Sequence, residues 1–194
     1  MFVLSVISSQ IMKLKLNEID KITIGNVNAL RDWSHVKDVI NGYLLLAEKG
    51  SSGEVYNQGS IRTNSVLIFI LLGIEQAGWE IEEIETENKI KKVQNPTMML
   101  DDELFGVKFP HTIVDHMIMN GEIEYNLEDK GIIVHTTQGS IKIKFNPQRF
   151  RPAEVPILLA NTKKIQKLGA KIDYSFQDIV RDQFIYFIEK ENRF

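Results

Sequence analysis

The sequence predicts an α/β fold that carries an antiparallel β-meander. Two observations predict it. Strand-like and helix-like segments alternate over residues 1–79, and residues 122–145 hold three short alternating segments that are separated by turns. Alternation of this kind is typical of layered α/β proteins. The chain has 194 residues, of which 43% are hydrophobic and 25% charged, so it is long enough to bury one sizeable core.

The elements of the first part follow from the spacing of apolar residues and from residues that favour helix ends. Helices are predicted where apolar residues recur with a helical period, and strands where polar and apolar residues alternate. Ser34 is a favourable N-cap, and Gly50 and Gly78 favour helix termination. In order, we predict a helix over 3–16, a strand over 21–25, a helix from Ser34 to Gly50 with its apolar face buried, a strand over 54–57 and a helix from Thr63 or Asn64 to Gly78.

The remainder of the chain breaks this rhythm. Residues 80–87 are acidic and poorly periodic, and residues 122–146 have the alternation and turn residues of a β-meander. Ser175, followed three residues later by Asp178, resembles a capping box at the start of a last helix. The predicted elements are strands over 122–126, 132–136 and 141–145, a short helix from Asn161 to Gly169 and the helix that begins at Ser175.

Composition excludes several classes of protein. The longest apolar run, residues 66–74, is nine residues long, about half of the ~20 that a membrane-spanning helix needs. The apolar start has no basic region before it and no small-residue cleavage pattern after it, so a signal peptide is not expected. The absence of cysteine excludes disulfides and thiolate metal sites. We therefore expect neither membrane insertion nor secretion, and a cytoplasmic location.

The net charge of −3 hides an asymmetry along the chain. Residues 75–129 contain 14 acidic and four basic residues, whereas residues 141–171 contain eight basic residues and one acidic residue. A basic segment in an acidic protein predicts a partner, either the acidic segment itself or an anionic ligand such as a phosphate. Nucleic acid is not expected, because the isoelectric point is about 5.9 and aromatic and basic residues do not interleave.

Three segments carry a family resemblance. Residues 25–38 have the sequence Gly-Asn-Val-Asn-Ala-Leu-Arg-Asp-Trp-Ser-His-Val-Lys-Asp, residues 55–60 have Val-Tyr-Asn-Gln-Gly-Ser, and residues 150–155 have Phe-Arg-Pro-Ala-Glu-Val, followed by a Leu-Gly at 168–169. In this order they resemble the C-terminal half of the GDP-mannose 4,6-dehydratase family, within the extended short-chain dehydrogenase/reductase superfamily. The resemblance covers residues 1–78 and 145–190.

The resemblance implies an incomplete Rossmann-type fold in three parts. Residues 1–79 would be the C-terminal part of the α/β nucleotide-sugar dehydratase fold, and residues 80–146 an insertion with the β-meander. Residues 147–194 would be a substrate-binding C-terminal segment with the last helix. Because half of a doubly wound fold leaves apolar faces uncovered, we also expect a homo-oligomer or a missing N-terminal half as partner.

Two arginines in turn-rich segments are candidates for gripping a diphosphate, since a guanidinium donates paired, charge-assisted hydrogen bonds. The resemblance implies that Arg31 and Arg151 hold the diphosphate of a nucleotide sugar, and that Glu154 binds the ribose or orients the arginine. In the alternative interpretation Arg31 pairs with Asp32 or Asp38, and Arg151 pairs with Glu154.

Asn57 and Ser60 are further substrate-binding candidates. They follow a predicted strand in a loop, which is where open α/β sheets usually bind ligands. A plain turn is an equal alternative for both residues.

The signatures of dinucleotide binding and catalysis are missing. None of the 12 glycines gives the Gly-x-x-Gly-x-x-Gly turn of the superfamily. One Tyr-x-x-x-Lys occurs, from Tyr186 to Lys190, but it lies near the end of the sequence on a helix that the family uses for packing, and we interpret it as chance. The family uses NAD or NADP to move a hydride from sugar C4 to C6. Here we predict a substrate-binding portion with no catalytic residue and no bound cofactor, or alternatively a non-catalytic sugar-nucleotide-binding or protein-interaction module.

No metal site is predicted. His111, Asp115 and His116 have the right side chains, but on a helix His116 would point about 100° away from the other two. A solvated helix face is the favoured interpretation of this cluster.

Overall fold

The computed structural model describes residues 2–104, 107–150 and 154–192, and of residues 101–104 and 107–110 the backbone alone. The helices in this part of the chain are α1 (Val3–Lys15), α2 (Val36–Lys49), α3 (Val66–Gln76), α4 (Ile113–Met119), α5 (Lys163–Gln166) and α6 (Phe176–Ile188). The strands are β1 (Lys21–Ile24), β2 (Leu30–Arg31), β3 (Asn64–Ser65), β4 (Ile81–Thr86), β5 (Lys92–Gln94), β6 (Met99–Leu104), β7 (Val107–Thr112), β8 (Gly131–Thr136) and β9 (Gly139–Phe145).

A five-stranded mixed sheet, in the order β1-β9-β8-β4-β5, forms the centre of the fold. β1 and β9 are parallel, and the other neighbours are antiparallel. Two antiparallel pairs, β2 with β3 and β6 with β7, lie outside this sheet. The predicted α/β class is confirmed, because helices and a mixed sheet share one core.

The core lies where α1, α3 and α6 pack together, with α1 against β1. α3 is its centre, since eight of its 11 residues are buried. A helix that is apolar on all sides is stable only where it is buried. Ser65 begins α3 as N-cap by accepting a hydrogen bond from the Ile68 backbone N–H at 3.0 Å. Within the described part of the chain, no helix combines the length and the apolar character that spanning a bilayer requires.

Several predicted elements are confirmed and two are wrong. The helices near 3–16, 63–78 and after Ser175 are present, as are the strands at 21–25, 132–136 and 141–145. The predicted strands over 54–57 and 122–126 are wrong, because neither segment pairs with another strand. In the second segment, Ile123 and Tyr125 are buried by packing on the core instead. The acidic stretch at 80–87 contains β4, an inner strand of the sheet.

The residues predicted as an insertion, 80–146, contribute β4, β5, β8 and β9 to the same sheet as β1. The sheet therefore joins the first and second predicted parts through the parallel pairing of β1 with β9. The boundaries of the three parts stay a prediction.

The second helix is present, but the prediction that its apolar face is buried is wrong. His35, one residue later than predicted, is the N-cap of α2 and accepts a hydrogen bond from the Lys37 backbone N–H. The side of α2 that meets the rest of the fold carries the buried Asp38 and Gly42. The opposite side leaves four large apolar side chains between 49% and 65% exposed: Val36, Ile40, Tyr43 and Leu44.

Candidate functional site

A cleft opens where β1 and β9 end side by side. The last residue of β1, Ile24, lies opposite Phe145 of β9, and the Asn146 backbone N–H donates to the Ile24 carbonyl at 2.8 Å. The carboxyl ends of parallel strands are the usual ligand-binding edge of an open α/β sheet. The cleft has a volume of about 570 Å³. It is lined by Val3, Val6, Ile24, Gly25, Asn26, Ala29, Arg31, Trp33, Val66, Gln148, Arg149 and Glu154.

Arg31, the second residue of β2, is held in one orientation at this cleft. Its Nη1 donates to the carbonyls of Leu30 and Val155, at 2.8 Å each. Its Nη2 lies 3.2 Å from Oε1 of Glu154, and both side chains of this ion pair are 22% exposed. The guanidinium is therefore fixed by the protein at the lining of the cleft.

Glu154 connects Arg31 to the loop that follows β1. Its second oxygen, Oε2, accepts from Asn26 Nδ2 at 2.9 Å. The Asn26 side-chain oxygen in turn accepts from the backbone N–H and the side-chain amide of Asn28, both at 2.9 Å. The Asn28 side chain is bonded to the backbone of Tyr125 at 2.7 and 2.8 Å. This chain of hydrogen bonds fixes one wall of the cleft.

The two aspartates that were alternative partners of Arg31 have other roles. Asp32 accepts from the Ser60 N–H and hydroxyl, at 2.6 Å each, and from the Ala160 N–H at 3.1 Å. Asp38 accepts from two backbone N–H groups, those of residues 173 and 174. Among the described residues, the carboxylate that pairs with Arg31 is that of Glu154.

Asn57 and Ser60 lie apart from the other candidates. Ser60 is buried and engaged by Asp32, and Asn57 is exposed. Neither is among the described residues that line the cleft. The structure therefore brings Arg31 and Glu154 together and leaves Asn57 and Ser60 in a separate loop segment.

The second predicted arginine, Arg151, lies outside the described residues. A different arginine, Arg149, lines the cleft and donates from Nη1 to the Thr23 carbonyl at 3.0 Å. The sequence motifs did not indicate Arg149, although it stands four residues after the end of β9 and in the basic segment. The missing information was the parallel pairing of β1 with β9, which brings this turn to the cleft.

The predicted solvated face at His111, Asp115 and His116 is wrong. His111 and Asp115 are fully buried. They also do not share a helix face, because His111 belongs to β7 and α4 begins only at Ile113. Asp115 accepts from Asn64 Nδ2 at 3.0 Å and from the Ser65 N–H at 3.1 Å. Burial raises its pKa from 3.8 to about 6, against the opposing effect of these hydrogen bonds. Asp115 thereby fixes β3, whose Asn64 lies opposite Arg31.

One other cluster has metal-ligand side chains. Ligand atoms of Glu83, Glu85 and His135 lie within 4.8 Å of one another on β4 and β8. Each is already engaged: Glu83 pairs with Lys92 at 2.7 Å, and Glu85 lies 3.0 Å from His135. These contacts describe a cross-strand network of charges, and we assign no metal to it.

Comparison with known proteins identifies the family. The sequence profile of the family described as GDP-mannose 4,6 dehydratase matches residues 1–108, more than half of the chain. The chain belongs to the GDP-mannose 4,6 dehydratase family. The match includes Arg31 and the loop that follows β1.

Relatives in this family are considerably longer. GDP-mannose 4,6-dehydratase of Sinorhizobium fredii (strain HH103) is 25% identical over 95% of this chain, and the match covers 42% of that protein. GDP-mannose 4,6 dehydratase 2 of Caenorhabditis elegans is 23% identical over 93% of this chain, which covers 36% of its length. The chain thus spans less than half of these relatives.

A solved structure shows the same fold. The structure of RMD from Pseudomonas aeruginosa, complexed with NADPH, matches 95% of this chain and 41% of its own with a TM-score of 0.59. The sequence identity is 17%. This likeness confirms the predicted incomplete Rossmann-type α/β fold.

Proposed function

We propose that this family member is the substrate-binding portion of a GDP-mannose 4,6-dehydratase-like nucleotide-sugar enzyme, and that its cleft binds the diphosphate of the nucleotide sugar. The orientation of Arg31 at the carboxyl ends of β1 and β9 carries the proposal. A guanidinium has five N–H donors. Three are engaged by Leu30, Val155 and Glu154. Among the described residues, the Nε–H and the second N–H of Nη2 have no partner, and such donors can form charge-assisted hydrogen bonds with phosphate oxygens.

We further propose that the dinucleotide-binding half and the catalytic Tyr-x-x-x-Lys are supplied by sequence beyond these residues. The path of the chain after β1 supports this proposal. After Gly25, β1 leads into a loop and the short β2 and not into a helix N-terminus of the kind that binds a pyrophosphate. Tyr186, the tyrosine of the chance Tyr-x-x-x-Lys, lies on α6 and is not among the described residues that line the cleft. On this account the chain holds substrate and has no hydride-transfer chemistry of its own.

Calorimetric titration tests this proposal. We expect the wild-type chain to bind GDP and GDP-mannose, to give no measurable heat with NAD and to show no dehydratase turnover. Arg31→Gln should weaken GDP binding by about 10- to 100-fold, since it removes a charge-assisted donor pair. Arg31→Lys, which keeps the charge without the paired donors, should fall in between.

Arg181→Gln is the matched control, because Arg181 lies on α6 and pairs with Asp178 and Asp182 outside the cleft. It should bind GDP as the wild type does. Tight binding of NAD, or no response to GDP by the wild type, would overturn the proposed function.

The exposed apolar side of α2 supports a second part of the proposal, namely that this portion of the enzyme has an obligate partner. An amphipathic helix exposes its polar side, yet α2 exposes Val36, Ile40, Tyr43 and Leu44 in one stripe. The segment after α2 adds Val55, which is 79% exposed. Such a surface suits either a second copy or the missing half of the fold.

We expect the isolated wild-type chain to self-associate through this stripe in multi-angle light scattering. Tyr43→Ser combined with Leu44→Ser should shift the mass towards that of the monomer. The control, Ile185→Ser with Ile188→Ser, alters two equally exposed apolar residues on α6 and should leave the mass unchanged. A wild-type chain that is monomeric at all concentrations would count against this expectation.

A further inference from the structure

The charges of the cleft are unevenly compensated. Three of the described residues that line it are charged: Arg31, Arg149 and Glu154. The carboxylate of Glu154 is shared between Arg31 and Asn26. In the described part of the chain, no carboxylate lies within 4.0 Å of the Arg149 guanidinium. The excess positive charge of the cleft therefore belongs to Arg149.

Arg149 is also positioned at the edge where ligands bind in such sheets. It closes a single 3-10 turn, Pro147–Arg149, which Asn146 caps by accepting from the Gln148 N–H at 3.0 Å. The turn packs closely against Gly25, the residue that follows β1. A Cβ added to Gly25 would lie only 2.5 Å from the Arg149 carbonyl oxygen. The guanidinium donates from Nη1 to the Thr23 carbonyl of β1.

We infer that Arg149 is a ligand-binding residue that takes phosphate oxygens of the nucleotide diphosphate, in addition to the arginines that the family motifs indicate. The inference rests on the proposed function. One N–H of Nη1 holds the side chain against β1, while Nε and Nη2 have no partner among the described residues. A guanidinium anchored through one nitrogen keeps a second edge for a bidentate contact with an anion. Arg31 with Glu154 forms one wall of the cleft, and Arg149 supplies the uncompensated cation at its rim.

Calorimetry with GDP at low and high salt tests this inference. Arg149→Gln should weaken GDP binding about tenfold at low salt, and Arg149→Lys should weaken it less. Because an exposed charge is screened by salt, the affinity of the wild type should fall more steeply with ionic strength than that of Arg149→Gln. Arg181→Gln, whose guanidinium has two carboxylate partners on α6, is the control and should match the wild type.

The outcomes separate this inference from the proposed function. If the wild type binds GDP and Arg149→Gln binds it equally well with the same salt dependence, the inference is overturned and the proposed function stands. If the wild type does not bind GDP, both fail. Thermal melts of Arg149→Gln and Arg149→Lys should coincide with that of the wild type, which would exclude loss of fold as the cause of weaker binding.

Discussion

Phe69→Ala should lower the free energy of unfolding by about 3–5 kcal/mol, which is the usual cost of truncating a buried phenylalanine. Phe69 lies on α3, is fully buried and contacts the rings of Trp33 and Phe176, each with its centroid 6.1 Å away. Domains of this size are stable by only about 5–15 kcal/mol. The substitution should therefore remove a large share of the stability.

Urea denaturation followed by tryptophan fluorescence measures this effect. Since the ring of Trp33 contacts that of Phe69, the variant should also show a changed emission spectrum of the folded state. Phe2→Ala is the matched control, because Phe2 is 88% exposed and its truncation should cost less than about 0.5 kcal/mol. A loss below about 1 kcal/mol for Phe69→Ala would show that α3 is not the centre of the core.

The second large effect concerns the buried carboxyl of Asp115. Its pKa is raised to about 6 in the folded chain, from 3.8. The folded state therefore binds this proton more tightly than the unfolded state does. The contribution of the protonated Asp115 to the free energy of unfolding is complete below about pH 3.8 and is lost as the pH rises through 6. Above that pH, the ionised carboxylate lowers the free energy of unfolding by about 3 kcal/mol relative to the neutral acid.

Asp115→Asn keeps the shape of the side chain and removes the titration. The oxygen of the introduced amide can still accept from the Ser65 N–H, and rotation of the Asn64 amide can satisfy the new NH₂ group. We expect the difference in unfolding free energy, variant minus wild type, to rise by about 2.5 kcal/mol between pH 4 and pH 8.

Denaturant unfolding at several pH values checks this expectation. Asp20→Asn changes an exposed carboxylate, with 83% side-chain exposure, and should shift stability by less than about 0.5 kcal/mol. Parallel pH profiles of Asp115→Asn and the wild type would contradict the assigned burial of this carboxyl group.

The periodicity of apolar residues predicted the helices and strands that bury only one of their faces. α1, α6, β1 and β9 each face the core with one side, so a helical or alternating pattern is present in the sequence. β4 escaped detection because its pattern is interrupted by a register shift between Ile81 and Glu83, and because several of its residues are acidic. The prediction of a strand at 54–57 was wrong, because alternation of polar and apolar residues does not by itself provide a neighbouring strand for pairing.

The candidate site was predicted in part. Family motifs indicated Arg31 and Glu154, which contact each other, but the distance between them in sequence gave no evidence of that contact. Arg149 could not be predicted, because its place at the cleft depends on the parallel register of β1 and β9 across more than 100 residues. The buried state of Asp115 likewise depends on tertiary packing of α4 near β3 and not on its neighbours in sequence.

A crystal structure of the chain soaked with GDP would show whether the cleft at the ends of β1 and β9 binds a nucleotide diphosphate. We expect phosphate oxygens within about 3 Å of the Arg31 guanidinium, with the contact between Arg31 and Glu154 preserved. GDP bound elsewhere on the molecule, or a cleft that stays without nucleotide at saturating GDP, would contradict it.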